Sequence, residues 1–97
     1  PLAKQSDNLY GAKAAVYLAE ALLAQGDKTE AQNVAERFVN SGTPHSYWLA
    51  RGFITLSDIY RARGKNYEAK EYLKALRENY PGTEPDIFIM IDERLAK

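Results

Sequence analysis

The same helix–glycine–helix pattern occurs twice in this chain, and its two copies are 38 residues apart, from Gly26 to Gly64. Before each glycine, apolar residues recur at steps of three and four, which places them on one stripe of an α-helix. Glycine suits the left-handed turn that follows a helix. The pattern therefore predicts two helical hairpins of the same design. The matched positions are Ala15, Leu18, Ala19 and Leu22 in the first copy, and Phe53, Leu56, Ser57 and Tyr60 in the second.

Turn signals divide the chain into five helices, and no stretch alternates apolar and polar residues as a half-buried strand does. Asp27 is expected to cap the second helix, and Thr43 followed by Pro44 is expected to begin the third. The predicted helices run from about Asp7 to Gln25, Lys28 to Asn40, Pro44 to Arg63, Asn66 to Asn79 and Glu84 to Ala96. The apolar stripes of the second, fourth and fifth helices are Ala31, Val34, Ala35 and Phe38; Ala69, Tyr72, Leu73 and Leu76; and Ile87, Met90 and Ile91.

Small residues stand where the two helices of each hairpin would cross, at Ala19 and Ala31 and again at Ser57 and Ala69, and Pro81 follows twelve residues after Ala69. This arrangement resembles the tetratricopeptide repeat. The resemblance implies an all-α fold, a right-handed α-solenoid of antiparallel hairpins within one domain, residues 1–97. Repeat 1 is expected over about residues 12–45, repeat 2 over about 46–83, and a capping helix over about 84–97.

The spacing of the two copies departs from the usual tetratricopeptide period of about 34 residues. The four extra residues amount to about one helical turn, and we place them in the third helix and its approach, "SGTPHSYW". The Tyr47-Trp48 pair in this segment has two interpretations. It packs the longer helix against the first hairpin, which we favour, or it forms an exposed aromatic anchor for a partner.

The charge balance gives no sign of a nucleic-acid or membrane-surface partner, because thirteen basic residues match thirteen acidic ones. No apolar run is long enough to span a membrane. Cysteine is absent, which excludes disulfides and thiolate metal sites and fits either a periplasmic or a cytoplasmic protein. The chain begins at Pro1 without a methionine, so we expect it to be a fragment of a longer protein.

No catalytic or cofactor motif is present in the sequence. Gly64-Lys65 follows a helix and lacks the glycine-rich strand-to-helix turn and the Lys-Ser or Lys-Thr pair of a phosphate-binding loop. His45 is the only histidine, so neither a metal site nor a nucleophile–histidine arrangement can be assembled. We therefore predict that the chain is not an enzyme and that it holds no cofactor or metal.

The resemblance implies a partner-binding surface, since in tetratricopeptide domains the first helix of each hairpin lines a concave groove. A protein or peptide segment would lie there, and Arg51 and Arg61 could grip a carboxylate while Tyr17 anchors the segment. Two alternatives stay open: a structural or self-associating solenoid segment, with a possible homo-oligomer, and a helical accessory domain of an enzyme. The implied groove residues are Lys13, Val16, Tyr17, Glu20, Leu23, Arg51, Ile54, Thr55, Asp58 and Arg61.

Two stretches suggest where such a protein would work. "LRENYPGTEP" resembles repeats of bacterial envelope tetratricopeptide proteins, and "VNSGTPHSYWLARGFITLSDIY" is similar to repeats in large secreted or periplasmic proteins of Bacteroidetes. The resemblance implies a periplasmic or envelope-associated protein, with the cytoplasm as the alternative.

Overall fold

The computed structural model describes residues 9–96, which form five α-helices joined by short turns. The first four helices pair as two hairpins, and the fifth packs against the second hairpin. No strand occurs in these residues, so the predicted all-α helical-repeat solenoid is confirmed. The helices are α1 (Leu9–Ala24), α2 (Lys28–Val39), α3 (Ser46–Ala62), α4 (Asn66–Asn79) and α5 (Pro85–Leu95).

The turns between helices depend on glycines in the left-handed region. Gly26, Gly42 and Gly64 have φ values of 88°, 78° and 82°, a conformation that strains any residue with a Cβ. After Gly26, the Asp27 side chain accepts a hydrogen bond from the backbone N–H of Glu30 at 3.2 Å and so caps α2. The predictions of a glycine stop and an aspartate cap at this turn are confirmed.

The predicted start of the third helix at Pro44, with Thr43 as its cap, is wrong. Helix α3 begins at Ser46, and His45 stands at its N-cap without a side-chain capping bond. The reason lies in Thr43, whose hydroxyl accepts a hydrogen bond from the His45 backbone N–H at 3.3 Å and so forms a separate turn before the helix. The predicted start of the first helix at Asp7 lies outside the described residues.

The first hairpin and α3 share one buried cluster at the predicted helix crossing. Ala19 of α1 and Ala31 of α2 are both buried there, next to Ala35, and Leu56 and Ile59 of α3 pack against them. Small side chains at this crossing allow the helix axes to lie close, within the usual range of about 8–10 Å. The predicted small positions of the first hairpin are thus confirmed.

Helix α5 is docked by its apolar face, as predicted for a cap. Ile87 and Ile91 are fully buried against Ala50 and Ile54 of α3 and Leu73 of α4. Burying an isoleucine side chain of this size stabilises the fold by about 1.5–3 kcal/mol. Two such residues are a large share of the stability of a domain this small.

The predicted apolar stripe of α1 is wrong at Leu18, because this residue was expected to face inward and is 51% exposed. The inner face of α1 consists of Ala12, Val16 and Ala19. The equivalent residue of the second repeat, Leu56, is only 1% exposed because α2 packs over it. Within the described residues, no helix takes that place on α1.

A close approach between α2 and α3 was not anticipated from the sequence. Gly52 of α3 lies directly against the Phe38 ring, and a Cβ placed there would be 2.8 Å from Phe38 Cδ2. Any larger residue at position 52 would therefore force the Phe38 and Val39 side chains of α2 to move.

Candidate partner-binding surface

The predicted groove residues come together on one side of the molecule, where α1, α3 and α5 lie next to one another. We call this surface the first-helix face. The prediction is wrong for Val16 and Ile54, because both are buried and belong to the core, and Leu23 packs against the buried cluster of the first hairpin. The seven remaining predicted residues are Lys13, Tyr17, Glu20, Arg51, Thr55, Asp58 and Arg61.

Three of these residues connect α1 to α3. The Arg51 Nη2 donates a hydrogen bond to Glu20 Oε2 at 3.3 Å, and the two groups form an ion pair. The Thr55 hydroxyl lies 3.4 Å from the same Glu20 oxygen and donates to the Arg51 backbone carbonyl at 2.9 Å. Because Thr55 is buried, it acts as a support for the ion pair and has little surface to offer a partner.

The same arginine continues the polar network to α5. Arg51 Nη1 donates to the Tyr47 hydroxyl at 3.2 Å, and that hydroxyl donates to Asp86 Oδ2 at 2.5 Å. The bond to the Asp86 carboxylate raises the pKa of Tyr47, because it favours the protonated phenol. Burial of Arg51 opposes its charge, yet Tyr47 and Glu20 outweigh that effect and raise its pKa. Glu20, Arg51, Tyr47 and Asp86 thus link three helices.

A second connection joins α3 to the end of α5. Arg94 donates from Nε and Nη2 to the two carboxylate oxygens of Asp58, at 2.8 and 3.1 Å. This two-bond geometry is the strongest that an arginine and a carboxylate form. Arg61 Nη2 donates to the Arg94 backbone carbonyl at 2.9 Å. Asp58 and Arg61 therefore hold the capping helix.

Aromatic and cationic side chains gather around Trp48 where α1 meets α3. The Tyr17 and Tyr47 rings meet the indole edge-to-face, with centroids 5.6 and 5.1 Å away. Two cations approach the indole ring, the Arg51 guanidinium at 5.2 Å and the Lys13 ammonium at 5.9 Å. Trp48 also packs on the buried cluster of Ala12, Val16 and Phe38, so the packing interpretation of this residue is confirmed.

The part of the first-helix face that stays open lies on α1. Tyr17 is 49% exposed and Lys13 is exposed, whereas Arg51, Thr55, Asp58 and Arg61 all make hydrogen bonds within the fold. Tyrosine and lysine next to a tryptophan can contact an apolar side chain and a carboxylate together. The open surface is therefore smaller than the predicted groove and lies toward its α1 side.

An apolar pocket of about 380 Å³ lies between α3 and α4. Phe53 and Tyr72, which line it, are stacked with ring centroids 6.0 Å apart. A groove of about 390 Å³ recurs between α1 and α2. Two residues that line this groove, Ala15 and Val34, stand 38 positions before Phe53 and Tyr72, which line the first pocket. Each repeat therefore has a pocket at the same place between its two helices.

Within residues 9–96, no cluster of three or more histidine, cysteine, aspartate or glutamate side chains is placed to hold a metal ion. None of the helices described there has the length and apolar character needed to cross a membrane.

Tyr47, Asp86 and Arg94 also belong to this surface, although the sequence pattern did not predict them. A signal for them exists in the separations of the bonded pairs, which are 39 residues for Tyr47 and Asp86 and 36 for Asp58 and Arg94. Both values are close to one repeat length, so the paired side chains come from equivalent helices of successive repeats. Charged and hydrogen-bonding residues one repeat apart were therefore candidates for contacts between neighbouring repeats.

Comparison with known families agrees with this architecture. A family model described as Tetratricopeptide repeat matches residues 13–41 and 55–83, which together cover more than half of the chain. Each matched range begins inside the first helix of a hairpin and ends just after the second. No curated protein and no solved structure matches the chain. Because the family model matches more than half of the chain and each matched range includes the turn and the second helix of a hairpin, the chain belongs to the tetratricopeptide repeat family.

Proposed function

We propose that this protein is a non-catalytic interaction module whose first-helix face binds an extended segment of a partner protein. Repeats of this family generally mediate protein–protein interactions. The observation that carries the proposal is the cluster around Trp48, where a half-exposed Tyr17 and an exposed Lys13 stand on a fixed aromatic base. Tyrosine, tryptophan and arginine are the residues on which binding energy most often concentrates.

The charges of the cluster suggest what the segment carries. Arg51 is already paired with Glu20, so the positive charge that faces solvent at this place is that of Lys13. A carboxylate of the partner would approach Lys13, and an apolar or aromatic side chain next to it would pack on Tyr17. In this proposal Arg51 and Arg61, which the sequence suggested as the gripping pair, keep the helices in place, so that little ordering is needed on binding.

The test uses two double variants on different helices, at positions that are exposed except for the half-buried Lys70. Lys13→Glu with Tyr17→Ala changes the open part of the first-helix face. Tyr67→Ala with Lys70→Glu makes the same kinds of change on α4, where Tyr67 is 74% exposed. Extended peptides that combine acidic and aromatic residues are screened on an array with wild-type protein. The affinities of the selected peptides are then measured for all three proteins by fluorescence anisotropy.

We expect the α1 variant to weaken binding at least about tenfold, since one charge-assisted contact contributes about 1.5–3 kcal/mol. The α4 variant should bind as the wild type does. Thermal melts of both variants show whether the fold is kept, because Tyr17→Ala also removes an edge-to-face contact worth about 0.5–1.5 kcal/mol. Equal affinities for all three folded proteins would contradict the proposal.

One observation favours a second candidate, a structural solenoid segment without a ligand of its own. Five of the seven predicted site residues make hydrogen bonds inside the fold: Glu20, Arg51, Thr55, Asp58 and Arg61. In that case the peptide array would return no sequence that binds wild-type protein better than the α1 variant. An envelope location stays a prediction from the sequence, and fractionation of cells that express the native gene would test it.

A further inference from the structure

Helix α1 has an apolar surface on the side that faces away from α3. Of its sixteen residues, Lys13 and Glu20 are the only charged ones. Tyr10, Ala14, Leu18 and Ala21 follow one another at steps of three and four and are all exposed, so they form a continuous apolar line, which we call the outer stripe. A helix that is apolar around its whole circumference is normally covered on all sides.

The second repeat shows what covers these positions. A shift of 38 residues, the distance between the two glycine turns, carries the outer stripe of α1 onto the face of α3 that packs beneath α2. On α3 that face is buried and accepts another helix closely, with Phe38 seated against Gly52. The outer stripe therefore has the make-up of a helix–helix interface. The equivalent pairs are Ala14 and Gly52, Leu18 and Leu56, and Ala21 and Ile59.

The opposite end of the solenoid does not match the outer stripe. On α5 the exposed residues include Glu93, Asp86 and Asp92, of which the last two are bonded to Tyr47 and Arg77, and Ile89 lies among them at 56% exposed. In a head-to-tail stack, α5 of one copy would pack on the outer stripe of the next copy. The carboxylates of α5 would then be buried against apolar side chains, at a cost in desolvation free energy. Pairing of two outer stripes buries apolar surface on both sides, with Lys13 and Glu20 directed toward Trp48 and Arg51 and with Arg37, whose side chain is 74% exposed, at the edge of the contact.

We propose that the outer stripe of α1 is a dimerisation surface that binds the outer stripe of a second copy of this chain in an antiparallel arrangement. A two-fold axis between Tyr17 and Leu18 sets Ala14 opposite Ala21 of the second copy. Because Ala14 and Ala21 are small, the two helix axes can approach to about 8 Å. Such a pairing is isologous and closes as a dimer. Each Leu18 would enter the groove that Ala15, Val34 and Phe38 line on the other copy.

The first test is the oligomeric state of the 97-residue protein by sedimentation velocity, over about two decades of concentration around the micromolar range. Leu18→Lys is compared with Ile89→Lys, a matched control on α5, because the two side chains are 51% and 56% exposed. The interface would receive two lysines in the first variant, and we expect the dimer dissociation constant to rise at least about a hundredfold. The control should dimerise as the wild type does.

The second test fixes the arrangement of the two helices and uses the absence of natural cysteines. A mixture of Ala14→Cys and Ala21→Cys proteins should yield a cross-linked dimer with a short bis-maleimide, whereas Ala14→Cys alone and Ile89→Cys alone should not. Circular dichroism of each variant confirms the fold. A wild type that is monomeric at every concentration, a Leu18→Lys protein that dimerises unchanged, or cross-linking of Ala14→Cys with itself would overturn the proposal.

Discussion

The two end helices of this short solenoid, α1 with 16 residues and α5 with 11, present different outer surfaces. The C-terminal helix α5 buries Ile87 and Ile91 and leaves Ile89, Asp92 and Glu93 exposed. Two arginine–carboxylate pairs, Arg94 with Asp58 and Arg77 with Asp92, hold it to the second hairpin. A polar outer face is what ends a stack of repeats in water. Helix α5, with four charged residues among its eleven, is therefore the more polar of the two end helices, and we call it the closed end.

The N-terminal helix α1 is covered on its inner side and open on the other. Ala12, Val16 and Ala19 are buried, whereas Tyr10 and Leu18 are exposed on a side without charged residues. The comparison shows that the inner face of a repeat helix determines how that helix packs on its own hairpin. The polarity of its outer face determines whether a further helix can pack on it. The inner faces of both end helices follow the same apolar pattern, so they do not distinguish the ends.

The largest effect should come from removing the closed end. Deletion of residues 84–97 would expose Ala50, Ile54 and Leu73, which α5 now covers. Each large apolar side chain returned to water costs about 1.5–3 kcal/mol, so we expect aggregation or a large loss of helicity. Size-exclusion chromatography and a circular-dichroism melt measure both. A truncated chain that stays monomeric with an unchanged melt would show that α5 is a tail and not a cap.

A smaller effect should separate two leucines that are equivalent in the repeat. Leu56→Ala removes a side chain buried under α2 and should cost about 2–5 kcal/mol of unfolding free energy. Leu18→Ala changes a half-exposed side chain of α1 and should cost no more than about 0.5 kcal/mol in the monomer. Urea unfolding at low protein concentration gives both values. Similar losses at the two sites would mean that the open and covered faces have been assigned wrongly.

The parts of the fold that were predictable from the sequence are those that local chemistry decides. Gly26 and Gly64 stop their helices because the following turns need positive φ, and both positions were assigned correctly. The small and large residues at steps of three and four indicated the hairpins and the apolar face by which α5 docks. The start of α3 was misplaced because the Thr43 hydroxyl bonds to His45 in a turn that has the same sequence signature as a helix cap.

The features that the sequence did not reveal depend on neighbours far along the chain. Leu18 and Leu56 occupy the same place in the pattern, and only the presence of α2 over Leu56 makes one of them core. In the same way, the sequence suggested that Glu20 and Arg51 both line a binding groove. In the structure the Glu20 carboxylate and the Arg51 guanidinium are 3.3 Å apart and pair with each other across α1 and α3. The position of a residue in the repeat predicts the helix face on which it lies, but it does not predict which side chain that residue contacts.

The smallest effect concerns the ion pair that fastens the closed end, and it depends on pH. Two hydrogen bonds from Arg77, at 2.8 and 3.1 Å, lower the pKa of Asp92 below its usual value. A carboxylate with a lowered pKa in the folded state contributes stability above its unfolded pKa, which is about 3.9, and loses that contribution as the pH falls through the folded value. Wild-type protein should therefore melt slightly higher than Asp92→Asn at neutral pH, and the difference should vanish in more acidic buffer.

Melting temperatures of the two proteins across an acid titration make this comparison, with Glu93→Gln as the control on the same helix. Asp92 is roughly half exposed, so water and salt screen the pair and the difference at neutral pH should be small. The control, which leaves the Arg77–Asp92 pair in place, should melt close to the wild type at neutral pH. If the gap between wild type and Asp92→Asn stays constant down to strongly acidic buffer, the pair does not fasten α5. The buried Ile87 and Ile91 would then hold the closed end without help from Arg77.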